Sequence, residues 1–150
     1  MADSAREIEN LLYRYALRID AGDLEGVADL FANGRIKAAP EAPPEAVFEG
    51  RDRVLEMYRA ATRLYEDGTP RTKHVTTNAL IEVDEEAGVG SSQSYFTVFQ
   101  QTEELPLQPI IAGRYHDTFR RTDGRWCFDT RIMFVDLKGD LRHHLLYELR

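Results

Sequence analysis

Cysteine is nearly absent from this sequence, since Cys127 is the only one in 150 residues. A single thiol cannot form an internal disulfide, and without a second thiol to share a metal ion Cys127 is predicted to be a small buried residue. The adjacent His143 and His144 would diverge on a helix and make a poor metal pair. No three or four ligands stand at a workable spacing, so we predict no structural or catalytic metal site.

Long apolar runs are absent as well. No segment approaches the roughly 18 consecutive apolar residues of a membrane span, so we expect no membrane insertion. The first twelve residues, MADSAREIENLL, lack the basic start and the apolar centre of a secretory signal. We therefore expect a cytoplasmic protein.

The sequence also lacks clusters of positive charge. Lys and Arg total 19 against 26 Asp and Glu, which gives a net charge of −7, and the basic residues are scattered among acids. Nucleic acid binding depends on clustered Lys and Arg, so we expect no nucleic acid partner. Neither GxGxxG nor GxxxxGKS/T occurs, and without these phosphate-binding patterns we expect no nucleotide cofactor, and no other cofactor is predicted.

What is present is the composition of an ordinary globular protein, with 43% hydrophobic and 30% charged residues. A chain near the commonest domain size can bury roughly 70% of the surface that its unfolded form exposes. We find no internal repeat and no linker. Residues 1–150 are therefore predicted to form a single domain.

Three helices are predicted in the first half of the chain. Residues 4–19 place apolar side chains at helical spacing, with Ser4 available as the N-terminal cap. Asp23 can cap a second, short helix. A third helix is predicted after Gly50, with an apolar stripe of about four turns that reaches Tyr65.

The second half of the chain alternates like a series of strands, predicted at 74–83, 88–102, 110–122 and 125–137. Two short extended pieces surround a proline-rich loop between 33 and 49. Helices followed by an antiparallel sheet indicate the α+β class. We expect a cone-shaped α+β barrel, in which three N-terminal helices pack on a curved, mostly antiparallel sheet and leave a pocket between the layers.

The first long strand, within PRTKHVTTNALIEV at 70–83, has two different faces. Alternation places Val75, Ile81 and Val83 together on the more apolar face. His74 begins the opposite face. A single pattern of alternation is expected along the whole strand.

Asp20 follows the last apolar position of the first helix, where its charge faces the negative end of the helix dipole. A histidine partner would explain this placement, since a carboxylate that holds one ring N–H leaves the other nitrogen to act as a base near neutral pH. Two plainer interpretations stay open. Asp20 could be a turn residue, and His74 could be half-buried and held by a backbone carbonyl.

Three segments together resemble the SnoaL-like branch of the nuclear transport factor 2-like superfamily: YRYALRIDAGDLEGVADLF, TKHVTTNALIEV and GRYHDTFRRTDGRWCFDTR. The chain is similar over nearly its whole length, in particular to scytalone dehydratase and gamma-hexachlorocyclohexane dehydrochlorinase. In both enzymes an aspartate after the first helix pairs with a histidine that begins the first long strand. Asp20 and His74 occupy the matching positions, so the resemblance implies a catalytic pair.

Arg131 lies in WCFDTRIMF, a context like that of an arginine in the last strand of the dehydrochlorinase. The resemblance makes Arg131 a candidate for holding an anion or a developing negative charge. An internal salt bridge to a carboxylate is the alternative. Tyr115 in GRYHDTF and Tyr15 on the first helix could donate hydrogen bonds to a substrate, or could simply pack.

Phe99 and Met133 are candidate wall residues, because a cone enclosed by helices needs apolar walls, and these would select a hydrophobic, ring-containing substrate. Phe99 stands where scytalone dehydratase has a second histidine, which is a departure from that enzyme. His116 lies on the strand face opposite Tyr115 and is expected to meet a helix, another subunit or solvent.

Two functions fit these features. The first is a cofactor-independent lyase or isomerase of the dehydratase type, with His74 as the general base, Asp20 orienting it, and Arg131 or Tyr115 stabilising the intermediate. The second is a noncatalytic role, as the small subunit of a ring-hydroxylating dioxygenase or as a small-ligand binding protein. Since self-association usually buries the exposed sheet face in this superfamily, we also expect a homodimer or homotrimer.

Overall fold

The computed structural model describes residues 3–149. Its helices, in chain order, are α1 (Ser4–Asp20), α2 (Leu24–Asp29) and α3 (Arg51–Ala61), with a short 3-10 helix at Pro44–Ala46. Its strands are β1 (Arg35–Lys37), β2 (Val47–Glu49), β3 (Thr72–Asp84), β4 (Val89–Gln100), β5 (Gln108–Thr122) and β6 (Arg125–Lys138). The four long strands lie where alternation predicts them, with ends that differ by a few residues.

The strands form one open sheet in the order β2-β1-β6-β5-β4-β3. Neighbouring strands are antiparallel except β1 and β6, which run parallel. Register shifts interrupt the three pairings among β3, β4, β5 and β6, and such irregularities bend a sheet. Helix α1 packs against β3 and β6. The predicted α+β arrangement of three helices on a curved, mostly antiparallel sheet is therefore confirmed.

The first two helices begin at aspartate caps. The side chain of Asp3, and not the predicted Ser4, accepts a hydrogen bond from the Arg6 N–H at the start of α1. Asp23 caps α2 through the N–H of Gly26, as its position predicts. The apolar stripe of α1 is buried along its length, which fixes the position of Asp20 at the end of this helix.

Helix α3 is shorter than predicted, because it ends at Ala61 instead of continuing to Tyr65. Thr62 leaves the helix and pairs with Leu145 in the C-terminal segment, residues 139–149. The N–H of Leu146 also donates to the Ala61 carbonyl at 2.9 Å. The backbone after Ala61 is thus bonded to a distant part of the chain, which the apolar stripe could not indicate.

Strand β3 does not keep one pattern of alternation. Asn78 has a φ of +57°, and the pairing with β4 shifts between Thr77 and Leu80. His74 therefore shares the inner face with Ile81, while Val75 is 40% exposed on the outer face. The expectation of a single apolar face is wrong, because the bulge inserts an extra residue and inverts the alternation beyond it.

The core lies between the helices and the concave face of the sheet. Its fully buried apolar side chains include Ile8, Leu12, Val27, Phe31, Val54, Ile110, Phe119 and Phe128. Cys127 is half-buried and not buried as expected, because strand alternation places it opposite the buried Trp126 and Phe128. Within residues 3–149, no helix combines the length and apolar character needed to cross a membrane.

Candidate active site

A cavity of about 830 Å³ lies between the sheet and helices α1 and α3. Its wall is mainly apolar and includes Ile19, Phe96, Val98, Met133 and Leu141. Side chains of the C-terminal segment complete the wall. A cavity of this size and character is typical of sites that bind small organic molecules.

Asp20 and His74 are in direct contact in this region. Asp20 Oδ1 lies 2.7 Å from His74 Nδ1 and also accepts a hydrogen bond from Thr72 Oγ1 at 2.8 Å. Asp20 Oδ2 accepts from the main-chain N–H of His74 at 2.7 Å. The side chains are 11% exposed for Asp20 and 7% for His74. The His74 ring is therefore held by a carboxylate and not by a backbone carbonyl.

These donors stabilise the charge on Asp20. Burial alone would raise the pKa of its carboxyl group, but the hydrogen bonds and charge of His74, with the Thr72 hydroxyl, outweigh burial and lower the pKa. The ionised carboxylate accepts the N–H at Nδ1 of His74, and in the neutral form of the ring this leaves a lone pair on Nε2. Nε2 makes no hydrogen bond to any residue in the range 3–149 and is available to a bound molecule.

Three tyrosines from different elements meet in the cavity wall: Tyr15 of α1, Tyr58 of α3 and Tyr115 of β5. The hydroxyl oxygens of Tyr15 and Tyr58 are 2.5 Å apart, and the ring centroids of Tyr15 and Tyr115 are 5.9 Å apart. Burial raises the pKa of all three tyrosines, so their hydroxyls stay neutral. Whichever hydroxyl accepts in the first pair keeps its own O–H for a further partner.

Arg131 is completely buried on β6 and does not line the cavity. Its Nε and Nη2 donate to Asp117 at 2.8 and 3.0 Å, and its guanidinium carbon lies 3.6 Å from the centre of the Tyr115 ring. Burial opposes its charge, but the attraction and hydrogen bonds of Asp117 outweigh burial and raise its pKa. This geometry is the internal salt bridge. The guanidinium does not line the cavity, so its charge could act on a bound molecule only across the Tyr115 ring.

Of the two predicted wall residues, Met133 lines the cavity and Phe99 does not. Phe96 and Val98 on β4 point into the cavity, so strand alternation places Phe99 on the opposite face. Phe96 occupies the wall instead, with its ring stacked on Tyr115 at a centroid distance of 4.5 Å. The expectation for Phe99 is corrected accordingly.

Two residues that sequence patterns did not single out as site residues, Tyr58 and His144, also line this cavity. Tyr58 belongs to the apolar stripe of α3, where its ring suggested packing alone. His144 lies in the C-terminal segment beyond the last strand, where no periodicity indicates which side chains turn inward. Its ring centroid is 6.4 Å from that of His74.

The site offers a base and neutral hydrogen-bond donors inside an apolar cavity. His74 supplies the lone pair at Nε2, and the tyrosine cluster supplies an O–H group nearby, since the ring centroids of Tyr15 and His74 are 6.3 Å apart. Among the side chains of residues 3–149, no three His, Cys, Asp or Glu converge in a way that could hold a metal ion. This combination can remove a proton from an organic molecule and stabilise the negative charge that results.

Comparison with known proteins extends this description. A family model described as a SnoaL-like domain matches residues 1–132. The hydroxylase beta subunit of methanesulfonate monooxygenase from Methylosulfonomonas methylovora is 26% identical, in a match that covers 86% of this chain and 78% of that protein.

Two solved structures from Novosphingobium aromaticivorans have a similar fold. A proposed scytalone dehydratase superposes with a TM-score of 0.72 and 24% identity, over 98% of this chain and 89% of that chain. The beta subunit of a proposed aromatic-ring-hydroxylating dioxygenase superposes with a TM-score of 0.70 and 18% identity, over 94% and 95% of the two chains. At these identities the likeness is one of fold.

Proposed function

The chain belongs to the SnoaL-like domain family, and from that premise we propose that it is a cofactor-independent lyase or isomerase acting on a small hydrophobic, ring-containing substrate. The observation that supports this proposal is the contact between Asp20 and His74 beside a mainly apolar cavity. A histidine oriented by a carboxylate is sufficient to act as a general base toward a bound organic molecule.

In the proposed reaction, Nε2 of His74 removes a proton from a carbon next to an electron-withdrawing group. The electrons of the broken C–H bond form a double bond, and Asp20 stabilises the imidazolium. In an elimination, a neighbouring C–O bond then breaks and the leaving oxygen takes the proton from His74 to form water. In an isomerisation, His74 returns the proton to a different carbon. Both routes restore neutral His74.

The tyrosine hydroxyls would stabilise the intermediate. Negative charge that develops on a substrate oxygen would accept a hydrogen bond from Tyr15, Tyr58 or Tyr115, and preorganised donors of this kind lower barriers strongly in a site that excludes water. The positive charge of Arg131 lies over the Tyr115 ring and would attract the negative charge on the substrate oxygen across that ring. Arg131 is thus proposed as a supporting residue for these donors.

The test is proton exchange on a panel of cyclic ketones, beginning with 2-tetralone, followed by NMR in deuterated buffer. The wild-type protein should accelerate exchange at the carbon next to the carbonyl, and His74→Ala should lose about 10²–10⁴-fold of that acceleration, the usual contribution of a general base. Asp20→Asn should also slow exchange, because the amide cannot stabilise an imidazolium as a carboxylate does.

The matched control for this test is His116→Ala. His116 is half-buried on the other face of β5, with its ring 4.7 Å from that of Phe134, so its loss should leave exchange at the wild-type rate. Equal exchange by wild type and His74→Ala, or no acceleration with any ketone of the panel, would refute the proposed base.

A noncatalytic subunit role is the second candidate, because the 26% identical relative is itself the beta subunit of a hydroxylase. In that role the chain would assemble with a larger oxygenase subunit, and substitutions at His74 would leave the oxygenase reaction unchanged. Affinity purification of the tagged chain from its source cells separates the candidates. A stoichiometric iron-bearing partner, together with no proton exchange by the isolated chain, would favour the subunit role.

A further inference from the structure

His144 is a buried histidine to which the proposed reaction gives no role. His144 is 7% exposed, and its side chain lines the same cavity as His74. The ring planes of His74 and His144 are inclined at 68° with centroids 6.4 Å apart. At this spacing the two rings can contact neighbouring atoms of one small molecule.

The backbone holds His144 in this position. Its N–H donates to the Leu141 carbonyl at 3.1 Å, and its carbonyl accepts from the Arg63 N–H at 2.9 Å. The side chain is not needed for these bonds. The fold therefore places an imidazole at the cavity without using the ring nitrogens to anchor it.

The surroundings of the ring decide its protonation state. Nδ1 is buried and has no hydrogen-bond partner, so a protonated ring would bury an N–H with no acceptor. Burial, and next the charge of His74, lower the pKa of His144 to about 4, although Asp20 opposes this. A neutral ring with its proton on Nε2 leaves only a lone pair at the buried Nδ1. Nε2–H is then the donor available to a ligand.

We propose that His144 is a neutral hydrogen-bond donor that binds an oxygen atom of the substrate beside the base His74. The cavity then favours ring compounds that carry a carbonyl or hydroxyl oxygen over purely hydrocarbon rings. This inference rests on the proposed function, because it assigns a second polar contact to the same bound molecule. His144 transfers no proton, and the bond-making and bond-breaking steps remain those of His74.

The experiment compares the affinities of 2-tetralone and tetralin, two ring compounds that differ in one carbonyl oxygen. Wild type should prefer the ketone. His144→Phe, which keeps a flat ring, should lower the affinity for 2-tetralone roughly fivefold to tenfold, the effect of one lost hydrogen bond, and leave the affinity for tetralin unchanged. Fluorescence titration measures both constants without any turnover.

Three further variants separate hydrogen bonding from packing. His144→Gln places an amide N–H near the position of Nε2 and should keep more of the ketone preference than His144→Phe. His144→Asn reaches only the position of Nδ1 and should keep no more of it than His144→Phe. His143→Phe is the matched control, because this adjacent, half-buried residue does not line the cavity. If His144→Phe does not fold, the Gln and Asn variants decide the question.

An undiminished ketone preference in His144→Phe or His144→Asn would overturn this role, as would equal affinities, or no binding of either probe, in wild type. The test is independent of catalysis. Loss of proton exchange in His74→Ala with no effect of His144 on ketone preference would support the proposed function and reject this inference. The converse result would support His144 as a binding residue in a noncatalytic pocket.

Discussion

The Asp20 carboxylate joins the end of α1 to the start of β3 through both of its oxygens. Its position at the helix C-terminus costs about 0.3–1 kcal/mol. Each hydrogen bond to a charged group contributes about 1.5–3 kcal/mol, and Asp20 accepts from Thr72 Oγ1, His74 Nδ1 and the His74 main chain. The hydrogen bonds therefore outweigh the dipole, so Asp20 stabilises the fold as well as orienting His74.

The contribution of Asp20 to the free energy of unfolding should decrease at acidic pH. The folded-state pKa of Asp20 lies below its ordinary value of 3.8, so the stabilisation is complete above that pH and is lost as pH falls through the folded-state pKa. Asp20→Asn has no proton to take up and should lose less of its free energy of unfolding between pH 6 and pH 3 than wild type. Urea unfolding at the two pH values measures the difference. Equal losses in both proteins would contradict it.

At the scale of single residues, the sequence predicts that Asp20 and His74 are partners but does not predict what surrounds them. The contact of Asp20 with His74 is suggested by the unfavourable helix position and by the family resemblance, and Thr72 shares the strand face of His74 two residues away. The inward direction of His144 is set by hydrogen bonds to Arg63 and Leu141 that form only in the folded chain. No local pattern encodes it.

The turn between α1 and α2 also restrains the end of α1, where Asp20 lies. Gly22 has a φ of +74°, and a Cβ at this residue would overlap the carbonyl oxygen of Gly68. The turn and the loop before β3 therefore approach each other backbone to backbone. A side chain here would push the end of α1 away from the strand that carries His74.

Gly22→Ala should be more destabilising than Gly124→Ala. Both positions have a positive φ, which costs alanine about 1–2 kcal/mol. Gly124, in the β5–β6 turn, has open space around its Cβ position, whereas the clash with Gly68 should cost Gly22→Ala a further 1–3 kcal/mol or so. Chemical denaturation measures both free energies of unfolding. Equal costs would mean that the Gly68 loop moves away freely.

Elements were predictable where the signal is local. The stripe of α1 and the Asp-Gly turn before Arg125 depend on residues a few positions apart, and both elements lie where the sequence places them. The end of α3 depends on Leu145, and the inverted alternation of β3 depends on Asn78 and its pairing with β4. Because these features depend on contacts with distant parts of the chain, the local hydrophobic periodicity does not indicate them.

At the scale of the whole molecule, the outer face of the sheet exposes apolar side chains. One row across the strands aligns Val75, Thr97, Ala112 and Leu137, and the neighbouring row contains Tyr95. Val75, Tyr95 and Leu137 are 40%, 52% and 69% exposed. Contiguous exposed apolar side chains of this kind are typical of surfaces that bind another protein.

We predict that this face forms a homodimer or homotrimer, and that Leu137→Glu shifts it toward the monomer because a charge would be buried at the contact. Leu17→Glu is the matched control, since Leu17 is 70% exposed on α1, away from the sheet face. Sedimentation at micromolar protein measures the association. A monomeric wild type would contradict the prediction.

The bulge at Asn78 separates β3 into two halves whose inward-facing side chains can be substituted independently. The half that contains His74 holds the proposed base at the cavity, while the half that contains Ile81 and Val83 packs against the core. Since the extra residue separates their alternation, changes that repack the second half need not rotate His74. Removal of that one residue would exchange the inner and outer side chains of a half-strand at once. The irregularity thus separates the proposed site from the core packing within a single strand, so each can be altered while the other is kept.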